Sequence, residues 1–130
     1  MAHNKQISQH LGIMAAVGFM RFLGYRDAKP SSPVIFSSEA LALLHPGPSS
    51  ATVRQIHWIH TLAAKLGKQP LVLSLTGFSR GAVDLAEKMA VATFTIVDPE
   101  PVAGGDSLGR ELLRNARCRA RDKFLLPLGL

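Results

Sequence analysis

The sequence has a single cysteine, Cys118, no histidine beyond His60, and only two acidic residues, Asp27 and Glu39, ahead of Asp84. One thiol excludes an internal disulfide framework and a cysteine-based zinc site, and it fits a reducing compartment, so the expected location is cytoplasmic. Long hydrophobic runs are also missing. The stretch from Leu11 to Met20 stops at Arg21, too short for a membrane span, and no convincing small-residue cleavage site follows it, which leaves a signal peptide as the weaker reading. Repeats and low-complexity tracts are absent as well.

The scarcity of acids leaves a formal net charge of +6, from 15 Lys and Arg against 9 Asp and Glu. Residues 1–100 carry nine basic and six acidic groups and residues 101–130 carry six and three, so half of the excess lies in the last thirty residues. That balance favours anionic partners, nucleic acid most commonly. With 130 residues, 47% of them hydrophobic, the chain is long enough for one domain with a real core and too short for two.

Hydrophobic periodicity predicts alternating helices and strands. Ile7, Leu11, Met14, Ala15, Gly18, Phe19 and Phe22 recur at helical spacing, and Gly24 should end that helix. Residues 26–33, "RDAKPSSP", read as a polar, proline-rich break. Val34–Phe36 and Ala40–Leu44 read as short strands, and Ser49 or Ser50 is placed to cap a helix that Gly67 stops. Leu71–Leu75 reads as a buried strand, 80–90 as a helix and Val91–Val97 as a strand whose Ala92, Phe94 and Ile96 face inward while Thr93 and Thr95 make a more polar face. A loop over Asp98–Asp106 and a helix over Leu108–Ala120 complete the pattern, an α/β domain.

One short motif invites a catalytic reading. Gly77-Phe78-Ser79-Arg80-Gly81 follows an apolar run and opens a helix, which is the form of a hydrolase nucleophile elbow at Ser79. The same residues also spell a glycine turn and a serine helix cap. Because His3, His10, His45, His57 and His60 all precede Ser79, the order serine, acid, histidine is not met, and the cap is preferred over a rearranged triad.

The order of elements, together with "FMRFLGYRDAKPS" and "VRQIHWIHTLAAKLGKQPLVLSLTGFSRGAVDLAEKMAVATFTIVDPEPV", resembles an Mrr-type restriction endonuclease domain of the PD-(D/E)xK nuclease superfamily over roughly residues 10–113. The resemblance implies a mixed β-sheet flanked by helices, in the order α-β-β-(β)-α-β-α-β, here with an added C-terminal helix. The chain is expected to divide into a core over 1–106 and a basic amphipathic helix with an apolar tail over 107–130. The resemblance also implies a metal site built from an Asp on one strand and a Gln or Glu, any residue, then Lys on the next. The ungapped match puts Pro33, Ala42 and Leu44 in those places, so the catalytic motif is degenerate and no metal or cofactor is expected. Glu39, on the hairpin near the expected site, is the foremost displaced acid, followed by Asp84 and Asp98.

A nuclease-like scaffold without its metal site points to DNA binding. Arg54, His57, Lys65 and Lys68 fall on or near one side of the central helix with Trp58 and Thr61, and Arg80 opens the next helix, where an arginine beside backbone N–H groups suits phosphate. His57 and His60 are three apart, without a third ligand close in sequence to complete a metal site. Arg110, Arg114, Arg117 and Arg121 follow helical spacing beside an apolar strip of Leu112, Leu113, Ala116 and Ala120. The first expectation is therefore a non-cleaving protein that binds duplex DNA, with a homodimer possible and no membrane partner. The alternatives are a structural or protein-interaction descendant of the same fold, an active nuclease with displaced acids, and a serine hydrolase at Ser79. The closing "FLLPLGL" is expected to pack on its own domain or on a partner.

Overall fold

In the computed structural model, which describes residues 2–31, 33–96 and 102–125, the chain runs α1 (Ala2–Phe22), β1 (Lys29–Ser31), β2 (Val34–Phe36), β3 (Ala40–His45), α2 (Val53–Leu66), β4 (Gln69–Ser74), α3 (Arg80–Met89), β5 (Ala92–Thr95), β6 (Val102–Ala103) and α4 (Ser107–Leu125). Val97, Asp98 and the rest of the loop to Pro101, and the tail beyond Leu125, lie outside the described residues.

β3 and β4 are nearly continuous apolar runs, the pattern of parallel strands covered on both faces, and they pair in parallel with Ala42 beside Leu71 and Leu44 beside Leu73. β5 continues the parallel set, with Leu73 beside Phe94. β1, β2 and β6 add antiparallel neighbours, so the sheet is mixed and its six strands lie in sequence order. Strand alternation sends Ala42, Leu71, Leu73 and Phe94 to one face, where Phe19 and Met20 of α1 and Leu113 and Ala116 of α4 cover them. The Phe19 and Phe94 rings meet edge to face at 4.9 Å. Leu41, Val72 and Val91 go to the other face under Ile56, Ile59 and Ala63 of α2 and Ala82 and Ala86 of α3. The result is a single α/β domain of three layers, with α1 and α4 on one side and α2 and α3 on the other.

Local signals set most boundaries. α1 ends at Gly24, whose φ of 114° is open to glycine, and Tyr25 N–H donates back to the Met20 carbonyl at 3.1 Å. Gly67, at φ 65°, stops α2 in the same left-handed way. The α2 cap is Thr52 rather than Ser49 or Ser50. Ala51 bridges to Phe78 and keeps the chain extended to that point, and Gln55 Oε1 accepts from the Thr52 N–H at 2.8 Å. The proline-rich break contains a strand, because β1 lies at the sheet edge, where Pro30 has no neighbour to donate to. The face of β5 that carries Thr93 is buried as well as polar.

That burial comes from the entry to α4. Asp106 is fully buried and sits where an N-cap belongs, with Oδ2 accepting from Gly109 N–H at 2.9 Å. Its Oδ1 accepts from Thr93 N–H at 2.9 Å and from the Thr93 hydroxyl. A side chain at Gly109 would meet the Thr93 carbonyl at 2.6 Å, so only glycine allows the helix this close to the strand. A second tie lies at the surface, where Ser107 donates from N–H at 2.7 Å and from Oγ at 2.6 Å to Glu87 of α3. None of the helices among the described residues is long and apolar enough to cross a membrane.

Asp106→Ala leaves three buried donors without an acceptor and should cost about 3 kcal/mol or more in urea denaturation. Glu87 is held below the ordinary glutamate range, first by the Ser107 hydroxyl and then by its N–H, with Arg110 adding to the effect. Because the folded-state value is the lower one, this tie is fully present above the ordinary glutamate range and is lost as pH falls through the depressed value. Ser107→Ala should raise the Glu87 midpoint in an NMR titration.

Candidate nucleic-acid interface

The sheet divides the basic residues. Arg110, Arg114, Arg117 and Arg121 project from α4 into one groove of about 460 Å³ beside edge strand β6, walled by Val102, Leu113 and Cys118. All four arginines are exposed, while Leu113 beneath them is buried in the core. Arg110 donates to the Gly105 carbonyl at 2.7 Å, and an Arg121 guanidinium nitrogen lies 3.9 Å from the Cys118 sulfur. From Arg110 to Arg121 the row is about 16 Å long at the helical rise of roughly 1.5 Å per residue.

Arg54, His57 and Lys65 share a separate groove on α2, on the opposite side of the sheet. Lys68 does not join them. Its ammonium donates to the Ser37 carbonyl and sits 3.9 Å from the centre of the Phe36 ring, so it secures the β2–β3 turn. Arg80 is exposed at the first residue of α3, apart from both grooves.

Of the three places that the resemblance would assign to metal ligands, two border an apolar cleft and the third is buried in the core. Continuing the antiparallel register puts Pro33 opposite Leu44, and both line a cavity of about 220 Å³ with Ile13, Pro30, Pro46 and Leu75. Ala42 is fully buried in the core. Glu39 lies at the far end of the hairpin instead of beside this cleft. Leu44 is five residue steps further along, about 16 Å at roughly 3.3 Å per residue. Its neighbour Ser38 donates N–H to Asp27 at 2.9 Å, so the two upstream acids sit at the β2–β3 turn, where Ser38 holds the Asp27 carboxyl below its ordinary range. Asp84 is exposed on α3, and Asp98 lies outside the described residues. Among the described residues no group of three or more His, Cys, Asp or Glu is placed to hold a metal ion.

Ser79 is the N-cap of α3. Its φ of −69° and ψ of 157° are ordinary extended backbone, and its Oγ accepts from Ala82 N–H at 3.2 Å. The glycine freedom in this turn is used at Gly77, with φ of 91°. His45, at the end of β3, pairs through Nε2 with the Ser49 carbonyl at 2.7 Å.

Sequence reasoning located the arginine row through its helical spacing. It missed the wall supplied by β6, a strand of two residues with no periodic signal. It also placed Lys68 with the α2 cluster because spacing along the chain does not show that Gly67 has already turned the backbone away.

Ser79→Ala should cost about 1 kcal/mol of stability, and Ser79→Asp should retain it, as expected for a cap. A fluorophosphonate probe should leave the protein unmodified, and labelling at Ser79 would restore the hydrolase reading.

Comparison of the chain with protein-family models, with curated proteins and with solved structures finds no match, so the function rests on the geometry of the chain itself.

Proposed function

We propose that the chain is a nuclease-like scaffold with a degenerate metal site, and that it binds duplex DNA along the arginine row of α4. The observation that carries this reading is the single groove that gathers Arg110, Arg114, Arg117 and Arg121 beside β6. Guanidinium groups offer fixed pairs of N–H donors that match phosphate oxygens. A row of about 16 Å spans roughly five successive phosphates of one strand at 3.4 Å of axis each, comparable with the number of arginines. Contacts of this kind position a protein on the backbone and do not read base sequence.

The absence of cleavage is the second half of the reading. The resemblance to Mrr-type domains would put metal ligands at Pro33, Ala42 and Leu44, and these side chains contribute to an apolar cleft and a buried core position. They offer no oxygen for a divalent ion and no ammonium for an attacking water.

Fluorescence anisotropy of a labelled duplex of about 25 base pairs, repeated across salt concentrations, tests the binding, and incubation of the same duplex with magnesium followed by denaturing electrophoresis tests the absence of cleavage. The logarithm of the affinity should fall with the logarithm of salt with a slope of about −3 to −4. Arg114→Ala should lower the magnitude of that slope by about 1, whereas Arg54→Ala, on the other side of the sheet, should leave it unchanged. Binding that ignores salt or the α4 substitutions overturns the assignment of the surface. Magnesium-dependent nicking that Glu39→Ala abolishes overturns the absence of cleavage.

A further inference from the structure

The groove on the outer face of α2 is a second surface, independent of the arginine row. It measures about 660 Å³, with a floor of Val53, Trp58 and Leu62 from α2 and Leu85 from α3. Its rim is Arg54, His57 and Lys65, and among the described residues that line it none is acidic. Val53 is 47% exposed and Trp58 45%, and Leu66 at the end of the same helix is 48% exposed. An apolar floor with a half-exposed tryptophan inside a rim of one charge sign is the composition of a protein-binding surface.

Its shape limits the occupant. The lining residues of α2 recur at helical spacing from Val53 to Lys65, a stripe about 18 Å long at roughly 1.5 Å per residue. A partner helix of about three turns lying along it would set its apolar side chains on Trp58 and Leu62 and its acids against Arg54 and Lys65. A second copy of this chain fits poorly. Antiparallel pairing of two α2 stripes brings Arg54 of one copy toward Lys65 of the other, and parallel pairing sets like residues together, so cation meets cation either way. Single-stranded nucleic acid also fits poorly, because stacking platforms use successive aromatic rings and this floor has one ring among aliphatic side chains. We infer that the α2 groove takes an acidic amphipathic helix of a partner protein.

The chain carries its own reporter, since Trp58 is the only tryptophan. A synthetic acidic peptide of about fourteen residues, with Leu at helical spacing flanked by Glu, is titrated into the full chain while Trp58 emission is followed. The emission should shift to the blue and saturate, and the double variant Arg54→Glu and Lys65→Glu should weaken the affinity roughly tenfold. A matched peptide with Lys in place of Glu should produce no shift. Both substitutions are exposed, and unchanged circular dichroism and thermal melting show that the variant is folded. No shift with the acidic peptide, or equal affinity for the double variant, overturns the inference. Tighter binding of oligo-deoxythymidine, read by the same tryptophan, assigns the groove to single strands instead. A shift that depends on protein concentration alone assigns it to self-association. Each outcome is separate from the duplex experiment, which reads the opposite side of the sheet.

Discussion

Asp106 ties the start of α4 to β5 through hydrogen bonds. One carboxyl oxygen accepts from the Thr93 backbone and hydroxyl in β5, and the other accepts from Gly109 in the first turn of α4. A buried polar group is tolerated when its partners satisfy it, and these partners lie on both sides of the joint. The helix is therefore fixed in height and in rotation about its axis. Fixing the rotation directs Leu113 and Ala116 into the core and leaves the arginines at 110, 114, 117 and 121 outward. The absent side chain at Gly109 belongs to the same joint, since any Cβ there would meet the strand backbone. The placement of the charge thus depends on one buried acidic residue a single helical turn before the first arginine of the row.

The three-layer arrangement has a further effect on the basic residues. A net charge of +6 is not gathered on one continuous cationic surface here, because the sheet stands between two groups of basic residues. The α4 group lies beside a short edge strand and sets four arginines in one row. The α2 group surrounds an apolar floor. The same charge sign therefore has different surroundings on the two faces, and the sheet separates them.

The fold was legible in the sequence where periodicity was strong. The apolar runs of β3 and β4, the two-face pattern of α2 and α3, and the glycines after α1 and α2 led directly to the elements observed. β2 was read from its apolar Val-Ile-Phe despite its three residues, whereas β1 and β6 were not legible, because they are held by their neighbours and carry no pattern of their own. Thr52 replaced the serines as the α2 cap because a bridge between Ala51 and Phe78, distant in sequence, decides where the extended chain ends. At the candidate site the arginine row could be read from spacing alone. The positions of Lys68 and Glu39 could not, since each depends on which way the chain turns just before it. The buried Asp106 was hidden for a different reason: in sequence it is an acid in a glycine-rich loop, and only the fold brings Thr93 over it.

The edges of the sheet carry one more consequence. Open sheets grow by pairing an unmatched outer strand with another chain, and a long flat edge invites fibrous assembly. Among the described residues the outer strands here are β1, three residues with Pro30 at its centre, and β6, two residues long. Proline withholds a donor, and two residues offer too short a ladder to recruit a stranger. Among the described residues the sheet edges therefore offer little backbone for another strand to pair with, and the broad exposed faces are those of the helices.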